Sequence, residues 1–198
     1  MGTKGDQARN RIIDTAIMLY SKHGYDQTSF QMIAKELNIT HTAPIYHFKN
    51  KLGLFTAVVN RIFARADDII LGTIDPADTA DSRLVKYFQG HMTWTYIYKR
   101  EADVFSLLSY FACINDDFAE LYKQITLTKR SQIFKILESG KESGVLKFDM
   151  ASEIQAIILL DFLVGMLLFR LAGRKEVRPI EEINFRIKET IQSLLKGA

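Results

Sequence analysis

Residues 28–51, TSFQMIAKELNITHTAPIYHFKNK, limit what this chain can fold into more than any other stretch. Phe30, Ile33, Ala34 and Leu37 fall at i, i+3, i+4 and i+7, so they share one face of a short helix. Ser29 stands at its head, where a hydroxyl accepts one of the backbone N–H groups that a helix start leaves unpaired. Asn38 follows Leu37, and asparagine tolerates the left-handed conformation that ends a helix and reverses the chain. Thr40 is placed to cap a second short helix, about 41–47, with His41, Thr42, Tyr46 and His47 as its polar groups. Two short helices joined by a tight turn form a helix-turn-helix, whose second helix can lie in a DNA major groove. The same arrangement occurs in ordinary helical bundles, so spacing alone leaves both readings open.

Charge favours the first. Residues 1–65 carry 9 Lys+Arg against 4 Asp+Glu, a balance of +5, and residues 66–198 carry 17 against 19, a balance of −2. His23, His41 and His47 also lie in the first part. A basic head on a slightly acidic body suits a head that meets phosphates. A chain of 198 residues has room for one sizeable core, or for a small head joined to a larger body. The single cysteine, Cys113, excludes an internal disulfide and a cysteine-based zinc cluster, and points to the reducing cytoplasm. The opening residues lack the apolar run of a secretory leader.

Periodicity predicts an all-α chain of about nine helices, with no convincing strand. Residues 1–6 read as a loose tail, and a first helix over about 7–23 is stopped by Gly24. Arg9 and Arg11 there are either a basic arm toward DNA or a solvated helix start. The two motif helices follow. A fourth helix, about 50–71, should offer N-terminal N–H groups and Lys51 to an anion. Beyond a linker at 72–80 come helices at about 81–98, 101–113, 117–141 (capped by Asn115 or Asp116), 150–172 and 180–196. The apolar run 156–169 in the eighth is 14 residues long and interrupted by Asp161. A membrane span needs roughly 20 apolar residues, so this helix is expected to be buried on most sides, and no membrane is expected as a partner. The organisation expected is a DNA-binding head at 1–50, a connector at about 50–71, and a body within 51–198.

From Arg9 to Phe55 the chain closely resembles the N-terminal domain of tetracycline-repressor (TetR) family regulators. Ile12, Ile13, Ala16, Leu19, Tyr20, Gly24, Thr28, Ser29, Ile33, Ala34, Ile39, Thr40, His47, Phe48, Lys51, Leu54 and Phe55 match at fixed separations. Asn38 stands where the family usually has glycine, and Ile45 where it usually has tyrosine, the phenol coming one residue later at Tyr46. Pro44 removes a backbone donor, which the first turn of a helix would leave unpaired anyway. The resemblance implies that His41, Thr42, Ala43 and Tyr46 face base edges, that Gln31 reaches one more, and that Thr40 belongs to the same surface. It also implies that Ser29, Tyr46, His47 and Lys51 meet phosphates.

A TetR-like fold further implies a homodimer, paired through its last two helices on a near-palindromic double-stranded operator, and an effector cavity among helices five to eight. Trp94, Tyr98, Phe105, Tyr110, Phe111, Phe162 and Met166 could line that cavity, or could be core packing. His91, Cys113 and Asp161 are its candidate polar contacts, and Asp161 is expected to sit as a carboxylate amid Leu160, Phe162 and Leu163. The resulting expectation is a repressor released by a small, largely apolar or aromatic effector. The rival is a DNA-binding protein of this fold that answers to a protein partner or organises chromosome segments. No Gly-rich phosphate loop, HExxH, CxxC, GxSxG or paired carboxylate motif is present, so no catalytic residue, metal or cofactor is expected.

Overall fold

The computed structural model describes residues 3–173 and 179–195. Among them are nine helices and no strand: α1 (Lys4–Gln27), α2 (Phe30–Leu37), α3 (Thr42–Phe48), α4 (Lys51–Gly72), α5 (Ala80–Ile97), α6 (Lys99–Ala112), α7 (Asp116–Glu142), α8 (Ser152–Ala172) and α9 (Ile180–Leu195). The all-α expectation therefore holds. The chain divides into two compact units, one of Met1–Arg65 with Tyr98–Leu121, the other of Ala66–Ile97 with Tyr122–Ala198. The division falls inside α4, at 65/66, and α6 joins the first unit.

The first unit is built on α1. Residues 3–6 are not a loose tail: Thr3 Oγ1 accepts the Asp6 N–H at 3.2 Å, while the Thr3 N–H donates to Asp6 Oδ2 at 2.9 Å. This reciprocal box starts the helix at Lys4, three residues ahead of the start expected at about residue 7. Gly24 leaves the helical region at φ 78 and ψ 174, a conformation nearly confined to glycine, so the expected stop is present within α1. Ile12, Ile13, Ala16 and Tyr20 of α1, Ile33 and Ala34 of α2, and Leu54, Phe55 and Val58 of α4 are buried. Five rings (Tyr20, Tyr25, Phe55, Phe111 and Phe118) pack with neighbouring centroids 5.1–5.8 Å apart, mostly edge-on. This cluster joins α6 and the start of α7 to the head.

The second unit packs α5 against α8 and α9. Ile183, Ile187, Ile191 and Leu195 recur every four residues along α9 and are all buried, and α9 lies against α5. Leu159, Leu160, Leu163, Leu167 and Leu171 form the buried face of α8. Asn115 Oδ1 accepts the Asp117 and Phe118 N–H groups, which settles the cap of α7 on Asn115. The expectation that helix eight is buried on most sides is corrected. Ile154, Ile157, Ile158, Leu168 and Phe169 are exposed on it, and only 39% of its most apolar window is buried. By length and composition alone α8 could cross a membrane. One face satisfies the intramolecular core, and the apolar pattern continues round the helix beyond it.

Candidate functional site

In α2 and α3 the local chemistry follows the sequence closely. Ser29 Oγ accepts the Met32 N–H at 3.2 Å, as its position at the helix head predicts. Asn38 is left-handed at φ 53 and ψ 49, and the Ile39 N–H closes the turn on the Ala34 carbonyl at 3.0 Å. The cap expected from Thr40 is not made. No side chain caps α3, and Thr40 Oγ1 instead accepts the Thr42 hydroxyl at 3.1 Å. Pro44 and Phe48 turn inward and are buried, which aims the rest of this two-turn helix outward. His41 and Thr42 are exposed, Ala43 and His47 are half-buried, and Tyr46 is 84% exposed with its ring edge-on to His47 at 5.3 Å. Ser29 and Gln31 are exposed on α2. Every side chain expected to touch DNA from α2 and α3 is therefore reachable by a duplex in part or in full.

Lys51, expected at a phosphate, also makes two contacts of its own within the first unit. Its Nζ donates to the Asp26 carbonyl at 2.8 Å and lies 4.4 Å from the Tyr25 ring centroid, tying α4 to the end of α1. Partial burial holds its pKa below the usual lysine value, with Asp26 opposing the shift. Asn50 Oδ1 already takes up the Gly53 N–H at 2.7 Å, so the start of α4 is partly satisfied by its own cap.

Lys49 carries no signal in its residue type or spacing. It is exposed at φ 64 and ψ −56, where the Asn50 N–H reaches the Phe48 carbonyl at 2.7 Å in a tight γ-turn. Lysine has no preference for that conformation, so nothing in the residue type signals it. The turn is held from the other side by Gly53, where an added Cβ would come within 2.4 Å of the Phe48 carbonyl oxygen. Gly53→Ala is expected to force the turn open and destabilise the protein by about 1–3 kcal/mol. Urea titration would measure this, and wild-type stability in the variant would show that the turn yields without cost.

The residues expected to meet an effector divide between the units. Tyr98, Phe105, Tyr110, Phe111 and Cys113 all belong to the first. There Phe111 is part of the five-ring cluster, Phe105 is buried against Phe63 at 6.0 Å, and Tyr98 carries the Arg65 guanidinium 5.0 Å from its ring centroid. Tyr110 and Cys113 are exposed, and Cys113 Sγ donates to the Ser109 carbonyl at 3.3 Å. In the second unit Phe162 and Met166 do share a cleft. It has a volume of ≈ 690 Å³ and is walled by Met92 of α5, Phe169 and Arg170 of α8, and Ile183 and Arg186 of α9. Phe162, Met166 and Arg170 recur every four residues, so the arginine was legible as part of that wall. Asp161 is exposed rather than embedded among leucines. It lies on the face of α8 away from Leu159, Leu163 and Leu167, beside a second recess of ≈ 500 Å³ that also holds Tyr122 and Arg130.

His91 and Trp94 are buried in the second unit, and His91 ends a chain of polar groups. Lys129 of α7 pairs with Asp67 of α4, Gln132 Nε2 donates to Asp67 Oδ2 at 3.2 Å, and the Tyr87 hydroxyl donates to Gln132 Oε1 at 2.7 Å. His91 Nδ1 lies 2.8 Å from the Tyr87 carbonyl, so it carries the proton and donates it. Nε2 is then a buried acceptor with no partner. Burial, reinforced by the Lys129 charge, holds the imidazole pKa down at about 3 against the pull of the Tyr87 carbonyl.

Residues 12–58 match the model of the family described as bacterial regulatory proteins, tetR family. The chain is 26% identical over 188 residues to the biofilm operon icaADBC negative transcriptional regulator IcaR of Staphylococcus aureus, covering 94% of this chain and 96% of that protein. In fold it is similar to a putative TetR-family transcriptional regulator from Rhodococcus sp., with a TM-score of 0.82, 18% identity, and coverage of 96% of this chain and 100% of that one. The regulator FadR from Bacillus subtilis, solved in complex with stearoyl-CoA, superposes with a TM-score of 0.81 at 17% identity, over 94% of this chain and 99% of its own.

Proposed function

We propose that this chain, which belongs to the TetR family of bacterial regulatory proteins, represses transcription as a dimer on a near-palindromic operator and is released by a small effector. The observation that carries this reading is the outward face of α3, where Tyr46 is 84% exposed and His41 and Thr42 are exposed with it, as are Ser29 and Gln31 at the start of α2. So short a helix contacts only a few base pairs, and two copies are needed for useful specificity. The exposed apolar residues of α8 and α9, among them Ile157, Leu168, Phe185 and Leu194, supply the surface through which two copies pair. Repression is supported by the likeness to IcaR, named as a negative regulator, and an effector by the FadR complex and by the cleft of the second unit. A protein of this kind acts in the cytoplasm, where its DNA is. Helix α4 begins in the head and ends in the second unit, so an effector that prefers one arrangement of α4 can misplace the reading helices.

Selection from a random duplex pool at low salt tests this. The expected result is a two-fold symmetric site whose halves are roughly 34 Å apart or a multiple of that, bound by a dimer in sedimentation. Tyr46→Ala should lower affinity for the selected site by about tenfold or more and leave non-specific binding in place. Lys49→Ala should weaken binding on every sequence and reduce the salt slope by about one. A monomer that enriches no sequence would overturn the reading.

A further inference from the structure

We propose that the cleft between α5, α8 and α9 takes an anionic amphiphile, with a carboxylate held by Arg170 and Arg186 and a hydrocarbon tail laid on Met92, Phe162, Met166 and Phe169. This deepens the effector part of the function proposed above, and depends on it only for the consequence at DNA. The described wall of the cleft contains two guanidinium groups and no acidic side chain. No described carboxylate forms an ion pair with either arginine. Two cations set together in an otherwise apolar wall repel one another and attract an anion. Arg170 is the more telling of the two. Its guanidinium carbon lies 3.9 Å from the Tyr96 ring centroid, and its Nε is buried without a hydrogen-bond partner. A guanidinium with one N–H already cut off from water and unpaired gains the more from an anion at its outer Nη edge, and a carboxylate is the acceptor that best fits that edge. Stacking on Tyr96 fixes the plane of the guanidinium, and its edge is the side that recognises a planar two-oxygen group.

The rest of the wall cannot repay an ion's desolvation, but it suits a tail. Phe162 stacks on Phe88 at 5.9 Å, which makes a rigid floor, while the methionines Met92 and Met166 adapt to an unbranched chain. A volume of ≈ 690 Å³ lies in the range of small-molecule sites. A cation would meet the two arginines, and a neutral apolar molecule would leave both guanidinium charges without a counter-ion.

Octanoate, dodecanoate and hexadecanoate, with the matching alcohols, are the probes, titrated below their micellar range against the full-length protein. Quenching of the single tryptophan, Trp94, and calorimetry follow binding. Dodecanoate should bind at least about tenfold more tightly than dodecanol, and affinity should rise with tail length. Arg186→Gln, on an exposed position, and Arg170→Gln should each erase most of the preference for the carboxylate while leaving the alcohol's affinity nearly unchanged. Gly165→Leu should block both series, because a Cβ there meets nothing within 4 Å and the side chain can fill the cleft without strain. Equal binding of acid and alcohol, indifference to both arginine substitutions, or binding by neither series would overturn the site. Duplex affinity is measured separately. Arginine-dependent binding that leaves duplex affinity unchanged keeps the site and overturns its effector role. Duplex binding by a protein that takes up no amphiphile overturns the site and leaves the DNA reading standing.

Discussion

Replacing His91 with leucine should make the protein markedly more tolerant of acid. The unfolded chain protonates this imidazole as pH falls through its ordinary value near 6.5, whereas the folded chain holds it neutral down to about 3. Between those limits the unfolded state binds the extra proton, so stability is lost as pH falls. The full effect is about 1.4 kcal/mol per pH unit, or roughly 2–3 kcal/mol from pH 6.5 to pH 4.5. Set against a typical total of about 5–15 kcal/mol, that is a large share. The physical cause is that His91 is only 5% exposed. Lys129 repels its charged form, the Tyr87 carbonyl is already served by the Nδ1 proton, and Asp67 is occupied by Lys129 and Gln132. At neutral pH His91→Leu should change stability little, since losing the bond to Tyr87 is offset by removing the orphaned Nε2 acceptor. Urea unfolding of both proteins at a series of pH values measures the difference in slope. Parallel slopes, or an imidazole that titrates near 6.5 by NMR, would show that water or another acceptor reaches Nε2.

What could be read in advance was whatever is decided within a few residues. Ser29, Asn38 and Gly24 each take the conformation that their own chemistry and immediate neighbours require, so the turn between α2 and α3 was legible from one line of sequence. The apolar faces of α5, α8 and α9 were legible for the same reason. What opposes a face was not. Phe105 and Phe111 recur at helical spacing and looked like walls of a body cavity, yet their ring partners are Phe63, Tyr25 and Phe118 in the first unit. Periodicity gives the direction in which a side chain points along its own helix and says nothing of which helix it meets. The same limit hid Lys129, which stands in a polar stretch of α7 next to Arg130 and reads as a solvated cation. Lys51 fits the family pattern, which predicts a phosphate contact, and its hydrogen bond to the Asp26 carbonyl depends on a residue 25 positions away in sequence, which no local pattern signals. Asp161 was judged by its neighbours in the chain. On a helix those neighbours point elsewhere, so an acid between two leucines can face outward.

Lys129 should prove the most sensitive position in the second unit. Its side chain is only 7% exposed and its ammonium pairs with Asp67, whose carboxylate is 22% exposed and also accepts from Gln132. Burial lowers the lysine pKa, and the charge and hydrogen bond of Asp67 oppose the shift. Removing one member of such a pair leaves the other in a poorly solvated site, which costs about 3–5 kcal/mol. Lys129→Met is therefore expected to lower the unfolding midpoint strongly, by more than the loss of an exposed pair, which is worth about 0–1 kcal/mol. Asp67→Asn should also destabilise, though less, because a buried lysine can shed its proton whereas its replacement by methionine strands a carboxylate. The double variant, Asp67→Asn with Lys129→Met, should recover much of the loss, since methionine fills the space and the asparagine amide can still accept from Gln132. Because Asp67 lies on α4, the helix that begins beside the reading face, the single variants should also alter the duplex affinity of the protein that remains folded, and the double variant should restore it. A thermodynamic cycle built from urea unfolding supplies the coupling energy directly. If the two single losses simply add, Lys129 and Asp67 do not depend on each other, and the polar chain that reaches Tyr87 and His91 is a set of separate contacts.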